Sequence, residues 1–154
     1  MYIWLGLCFV VLHICSACKS ETREEFHCSS SGLIEPEELE QRIAEGTSPI
    51  IIEIGKKDDF LQEHIPGARN VWRPDYEDRV KYEYNGMRAG IAQMEDLLGN
   101  LGIEPKDQIV LYDQRGDVDA ARFRWLLKLY GHEKVILLNG GKVAWETEGR
   151  SISR

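Results

Sequence analysis

The strongest nucleophiles in this 154-residue chain are four cysteines, and Cys8, Cys15, Cys18 and Cys28 all lie within the first 28 residues. Residues 29–154 contain no thiol, so no disulfide can staple them and no thiolate can act from within them. Cys15-x-x-Cys18 followed by His27-Cys28 presents four residues of zinc-ligand type, but structural zinc sites space each ligand pair by two to four residues. Adjacent His27 and Cys28 fail that spacing, and half the set sits in an apolar run, so no metal is expected. His64 precedes a Pro-Gly turn and His132 follows Gly131. With no nucleophile beside either, His64 is expected to be a structural hydrogen-bonding residue and His132 to complement the negative end of a helix. The remaining concentration of chemistry is Asp113-Gln114-Arg115-Gly116-Asp117-Val118, a tight polar loop with Asp119 directly after it. Arg115 and Arg122 are expected to pair with Asp117 and Asp119, as a solvated charge cluster of small energetic weight.

The elements that must hold this loop are legible as alternating helix and strand signals from Leu33 onward. Glu35-Pro36-Glu37-Glu38 places proline and acids at a helix start, with Leu39 and Ile43 on one face and Gly46 as the stop. Ile50–Ile54 reads as a strand buried on both faces. Phe60 and Leu61 mark a brief helix that His64-Ile65-Pro66-Gly67-Ala68 ends. Residues 70–88 show no clean period and read as an excursion. Ile91, Met94, Leu97, Leu98 and Leu101 fall at helical spacing before Gly102. Ile109–Tyr112 is a second strand. Residues 120–130 form a helix with Ala121, Trp125 and Leu129 on one side, and Trp125 and Trp145 are expected in the core. Val135–Leu138 is a third strand, Asn139-Gly140-Gly141 a turn, and residues 143–145 a last short helix. Strands separated by helices predict an α/β domain, with a parallel sheet covered by helices on both faces.

The segments HIPGA (64–68), IVLYDQRGDVDAAR (109–122) and YGHEKVILLNGGKVAW (130–145), in this order and spacing, resemble the rhodanese-like sulfurtransferase family from about Leu33 to Gly149. VWRPDYED and DAARFRWLLKLYGH look most like the N-terminal half of two-domain sulfurtransferases that use thiosulfate or 3-mercaptopyruvate. The resemblance implies sulfane-sulfur transfer through a cysteine persulfide, cradled by backbone N–H groups and a helix N-terminus. It carries the nucleophile onto position 113, which is Asp, and N-terminal halves of the family tend to carry Asp there. A carboxylate cannot form a persulfide, and three acids against Arg115 are expected to repel thiosulfate. A related phosphatase reading needs Cys-x5-Arg across the loop, but 113 and 119 are both Asp. The resemblance also implies an arginine two residues after an acid. Gly55 stands at that place, so no salt bridge from Glu53 is expected.

Charge and the N-terminus complete the reading. With 19 Lys+Arg against 26 Asp+Glu the net charge is −7, which excludes an electrostatically driven nucleic-acid binder. Residues 1–17 carry no charged side chain, too short a run for a comfortable transmembrane helix. Ser16-Ala17-Cys18 resembles the cleavage box of bacterial lipoproteins, although no Lys or Arg precedes the run and Cys15 stands where that box usually has Leu. An ordinary signal or short anchor and a misassigned start codon are the alternatives. The expected organisation is an export or lipoprotein signal over 1–18 with Cys18 as the lipidation candidate, a polar tether over 19–32, a rhodanese-like domain over 33–150 and a tail over 151–154. The expected function is the non-catalytic N-terminal half of a two-domain sulfurtransferase, needing no cofactor, exported and lipid-anchored at the cell envelope, with a second rhodanese domain or another protein as partner. The alternatives are a stand-alone envelope interaction or sensing module, and weak sulfur transfer through Cys28.

Overall fold

The computed structural model describes residues 32–78 and 81–154. The expected signal, nearly all of the expected tether, and with them Cys18 and Cys28, lie outside the described residues.

Five parallel strands, β1 (Leu33–Ile34), β2 (Ile50–Ile54), β3 (Arg69–Val71), β4 (Ile109–Asp113) and β5 (Val135–Leu138), form one sheet in the order β1-β5-β4-β2-β3. The helices are α1 (Pro36–Ala44), α2 (Lys57–Gln62), α3 (Ile91–Asn100), α4 (Val118–Leu129) and α5 (Gly141–Thr147), with a short 3-10 turn at Arg73–Asp75. β4 is the middle strand and buried along its whole length. Its β-branched and apolar residues suit a position between two covered faces. Alternation then divides the core. Ile52, Ile54, Ile109 and Leu111 pack with Met94 of α3 and Phe123, Leu126 and Leu127 of α4, while Ile51, Val110, Tyr112 and Ile136 pack with Leu39 of α1 and Trp145 of α5. Each such aliphatic side chain, fully withdrawn from water, contributes about 1.5–3 kcal/mol before its ordering cost.

The single parallel sheet is as expected, with two additions and one reversal. β1 and β3 are edge strands of two and three residues, and β3 occupies the start of the segment read as an excursion. Neither is long enough to show a period. Ala121, Trp125 and Leu129 do share a face of α4, but it is the outer one: Trp125 is 55% exposed and Leu129 51% exposed. Trp125 is therefore not a core residue, because α4 seats the opposite stripe, Ala120, Phe123, Leu126 and Leu127, on the sheet. Trp145 is fully buried and donates its indole N–H to the Ser151 carbonyl at 2.8 Å.

Candidate functional site

All five strands run the same way, so the C-terminal ends of β2 and β4 meet at one edge of the sheet. From β4 the chain crosses to β5 on one side, and from β2 to β3 on the other, which opens a crevice between them of the kind that holds ligands in α/β sheets. A cavity of about 400 Å³ lies there, lined by Gly55, Lys56, Asp59, Trp72, Asp113, Gln114, Arg115, Val118 and Asp119, among others.

The loop 113–118 wraps around one carboxylate. Asp113, the last residue of β4, is 5% exposed and turns its side chain inward. Oδ1 accepts the N–H groups of Arg115 at 2.8 Å and Asp117 at 2.9 Å, and Oδ2 those of Asp119 at 2.9 Å and Ala120 at 3.2 Å. The last two belong to the first turn of α4, whose N–H groups have no partner within the helix and carry partial positive charge. The chain thus builds a four-donor anion cradle and fills it with its own side chain.

Two glycines and one strained residue shape the cradle. Gly116 has φ 93°, and Asp117, at the entrance to α4, has φ 71°, a left-handed conformation that Asp tolerates better than most residues. Gly141 at the start of α5 has φ 58°, and a Cβ there would lie 2.7 Å from the Asp113 carbonyl oxygen and 3.0 Å from Asp117 Oδ1. Gly141 is therefore what lets α5 close onto the loop. Oδ1 of Asp117 is buried with no hydrogen-bond partner among the described residues. Burial, together with the charge of Asp113, pushes the Asp117 carboxyl up to about 6.

The expected local pairing of Arg115 and Arg122 with Asp117 and Asp119 does not form. Asp119 is instead bound by Arg73 at 3.2 Å, and Arg73 also donates to Glu77 at 2.7 Å. Arg122 donates to the Gly86 carbonyl and stands 4.0 Å from Glu77. Arg115 is exposed, and its side chain has no polar partner among the described residues. Of the three acids, Asp113 accepts backbone N–H groups, Asp117 is partly buried, and Asp119 pairs with Arg73, 46 residues away in sequence. Nothing in the local sequence signalled Arg73.

Beneath the loop, Glu53 of β2 is fully buried. Its expected arginine is absent, and neutral donors take over: the Tyr112 hydroxyl donates to Oε2 at 2.6 Å and the Gln114 amide to Oε1 at 3.1 Å. Burial and the adjacent Glu53 push the Tyr112 phenol far up, so it remains a donor. Tyr112 in turn accepts the Ile65 N–H at 3.1 Å, tying the Pro-Gly turn to the site. Both histidines are structural. His64 donates from Nδ1 to the Phe60 carbonyl at 2.8 Å and stacks on that ring. His132 caps α4 through its backbone N–H to Leu127, while its ring donates to the Asp107 carbonyl at 2.9 Å.

The family model described as Rhodanese-like domain matches residues 35–148. The thiosulfate sulfurtransferases of Azotobacter vinelandii and Pseudomonas aeruginosa are 35% and 34% identical over 122 residues, which cover 79% of this chain and 44% of theirs. The chain thus spans less than half the length of these curated relatives. Among solved structures, the 3-mercaptopyruvate sulfurtransferase SseA from Escherichia coli superposes over 79% of this chain and 51% of its own, with TM-score 0.69 and 22% identity. The 3-mercaptopyruvate sulfurtransferase from Leishmania major does so with TM-score 0.66 and 19% identity, over 79% of this chain and 35% of its own.

Proposed function

Because the chain belongs to the rhodanese-like domain family of sulfurtransferases, we propose that it is a catalytically silent member, the N-terminal half of a two-domain thiosulfate or 3-mercaptopyruvate sulfurtransferase. One observation carries the reading: the Asp113 carboxylate accepts four backbone N–H groups, two from the loop and two from the first turn of α4. A persulfide needs a thiolate at the head of this loop, where backbone donors stabilise the transferred sulfur and its anionic donor. A carboxylate supplies no sulfur nucleophile and already occupies four of the backbone donors around the loop. The length of the matched relatives supports the tandem arrangement, and the chemistry is then assigned to the other half. The reading also includes attachment to an envelope membrane through a lipid on Cys18, supported by Ser16-Ala17-Cys18 at the end of the apolar run.

The test is the full-length chain with thiosulfate or 3-mercaptopyruvate as donor and cyanide as acceptor, thiocyanate being measured. No turnover above buffer is expected. Turnover that survives replacement of all four cysteines by Ser sinks the silent-domain reading, and turnover abolished by Cys28→Ser alone replaces it with transfer through that thiol.

A further inference from the structure

Two Asn-Gly pairs occur in the chain, at 85–86 and 139–140, and the fold treats them oppositely. In this dipeptide the glycine nitrogen lies one ring closure away from the asparagine side-chain carbonyl carbon, and glycine has no side chain to shield it. Whether the two atoms can meet depends on what holds the amide and the glycine N–H.

Asn85 and Gly86 sit in a turn between β3 and α3. Glu77 and Arg88 form an antiparallel bridge there, and the Asp78 N–H donates to the Met87 carbonyl at 2.8 Å. Asn85 is exposed, and neither its side-chain amide nor the Gly86 N–H has a hydrogen-bond partner among the described residues. A Cβ at Gly86 would meet only Glu77 Oε1, at 3.7 Å. Asn139 is held instead. Its Nδ2 donates to both oxygens of Glu35, at 3.0 and 3.1 Å, and its backbone N–H to the Ile34 carbonyl at 2.9 Å. Gly140 accepts the Ala144 N–H on its carbonyl, and a Cβ there would lie 2.7 Å from Ala144 Cβ, which leaves little room for the backbone to turn.

We propose that Asn85 is a site of spontaneous deamidation in the folded protein, and that Asn139 is protected by its bonds to Glu35. The Gly86 nitrogen gives its proton to solvent and attacks Cγ of Asn85. A new C–N bond closes a succinimide ring, the Cγ–Nδ2 bond breaks, and the nitrogen leaves as ammonia with a proton from water. Water then opens the ring at either imide bond, giving aspartate or isoaspartate, with no oxidant or reductant involved. Either product places a carboxylate beside the carbonyl of Gly86, to which Arg122 donates. Isoaspartate also lengthens the main chain there by one carbon. Arg122 stands 4.0 Å from Glu77, and Glu77 binds the same Arg73 that pairs with Asp119, so the modified turn connects through side chains to the entrance of α4. The proposal goes beyond the silent-domain reading and does not depend on it.

The full-length protein, held at mildly alkaline pH in heavy-oxygen water and then mapped by peptide mass spectrometry, tests it. Each deamidated site takes up one labelled oxygen. In the folded protein Asn85 should react at least about tenfold faster than Asn139, whose bonds to a charged acceptor must open first. In guanidinium chloride the two rates should converge. Glu35→Ala should raise the rate at Asn139 several-fold and leave Asn85 unchanged. Comparable rates at the two sites in the folded protein, or an Asn85 that reacts only in the unfolded chain, overturn the proposal. A rate at Asn139 unmoved by Glu35→Ala overturns its protection by Glu35.

Discussion

Among single residues, two carboxylates organise the loop by where they point. Asp113 accepts four backbone N–H groups, and bonds to an ionised acceptor are stronger than neutral ones. Asp113→Ala leaves those donors inside a closed loop and should cost about 2–4 kcal/mol, read as a lower urea midpoint at unchanged slope. An unaffected midpoint would mean that water replaces the carboxylate at no cost. Asp117 behaves oppositely, because its surroundings disfavour its charge. Burial and the neighbouring Asp113 raise its carboxyl from the ordinary 3.8 to about 6. Between those values the folded state holds a proton that the unfolded chain has released, so stability falls as pH rises through this window and the cost persists above it. Asp117→Asn should therefore stabilise the domain at pH 7 by about 1 kcal/mol, after discounting for a partly exposed group, and the gain should vanish below about pH 4. Thermal melts of both proteins across this range give the answer, and a gain independent of pH would put the effect in backbone strain rather than charge.

Among the elements, α5 owes its place to a missing side chain. Gly141 needs both a positive φ and room beside the Asp113 carbonyl, whereas a Cβ added at Gly67, at φ 79°, would meet nothing within 4 Å. Gly67→Ala should cost about 1 kcal/mol for backbone strain alone, and Gly141→Ala about 2–4 kcal/mol because overlap is added. Chemical denaturation of the pair isolates the overlap, and equal losses would show that α5 shifts freely. The same elements show how far local patterns reach. β2, β4 and β5 are legible as apolar runs of β-branched residues, and α1 and α3 by period and end signals. β1 and β3 are not, because a strand of two or three residues exists only through the neighbour that pairs with it. In α4 two apolar stripes compete. Period alone cannot say which one faces the sheet, and Trp125, expected in the core, lies on the stripe that loses.

For the whole molecule, the distribution of chemistry along the chain matters more than its overall composition. Every thiol lies in residues 1–28, while the cradle that would use one is built from β4 and α4. Lipidation at Cys18 predicts that Cys18→Ser moves the protein from the membrane to the soluble fraction of a bacterial host. A diacylated cysteine supplies the two chains that stable anchoring takes. Retention of the variant in the membrane fraction would identify residues 1–17 as an uncleaved anchor, and a soluble wild-type protein would count against both. No helix among the described residues is long and apolar enough to cross a membrane.

The α/β class, the central strands, the loop at 113–118 and the lack of a thiol in it can all be read before any folding is considered, because each is written in residues adjacent along the chain. Folding alone turns Asp113 inward to fill the cradle, gives Asp119 to Arg73 rather than Arg115, and brings Tyr112 and Gln114 to Glu53 in place of an arginine. These partners come from different strands and helices. Their pairing depends on sheet order and on which way each strand end points, and those are set by burying two apolar faces at once rather than by any local pattern.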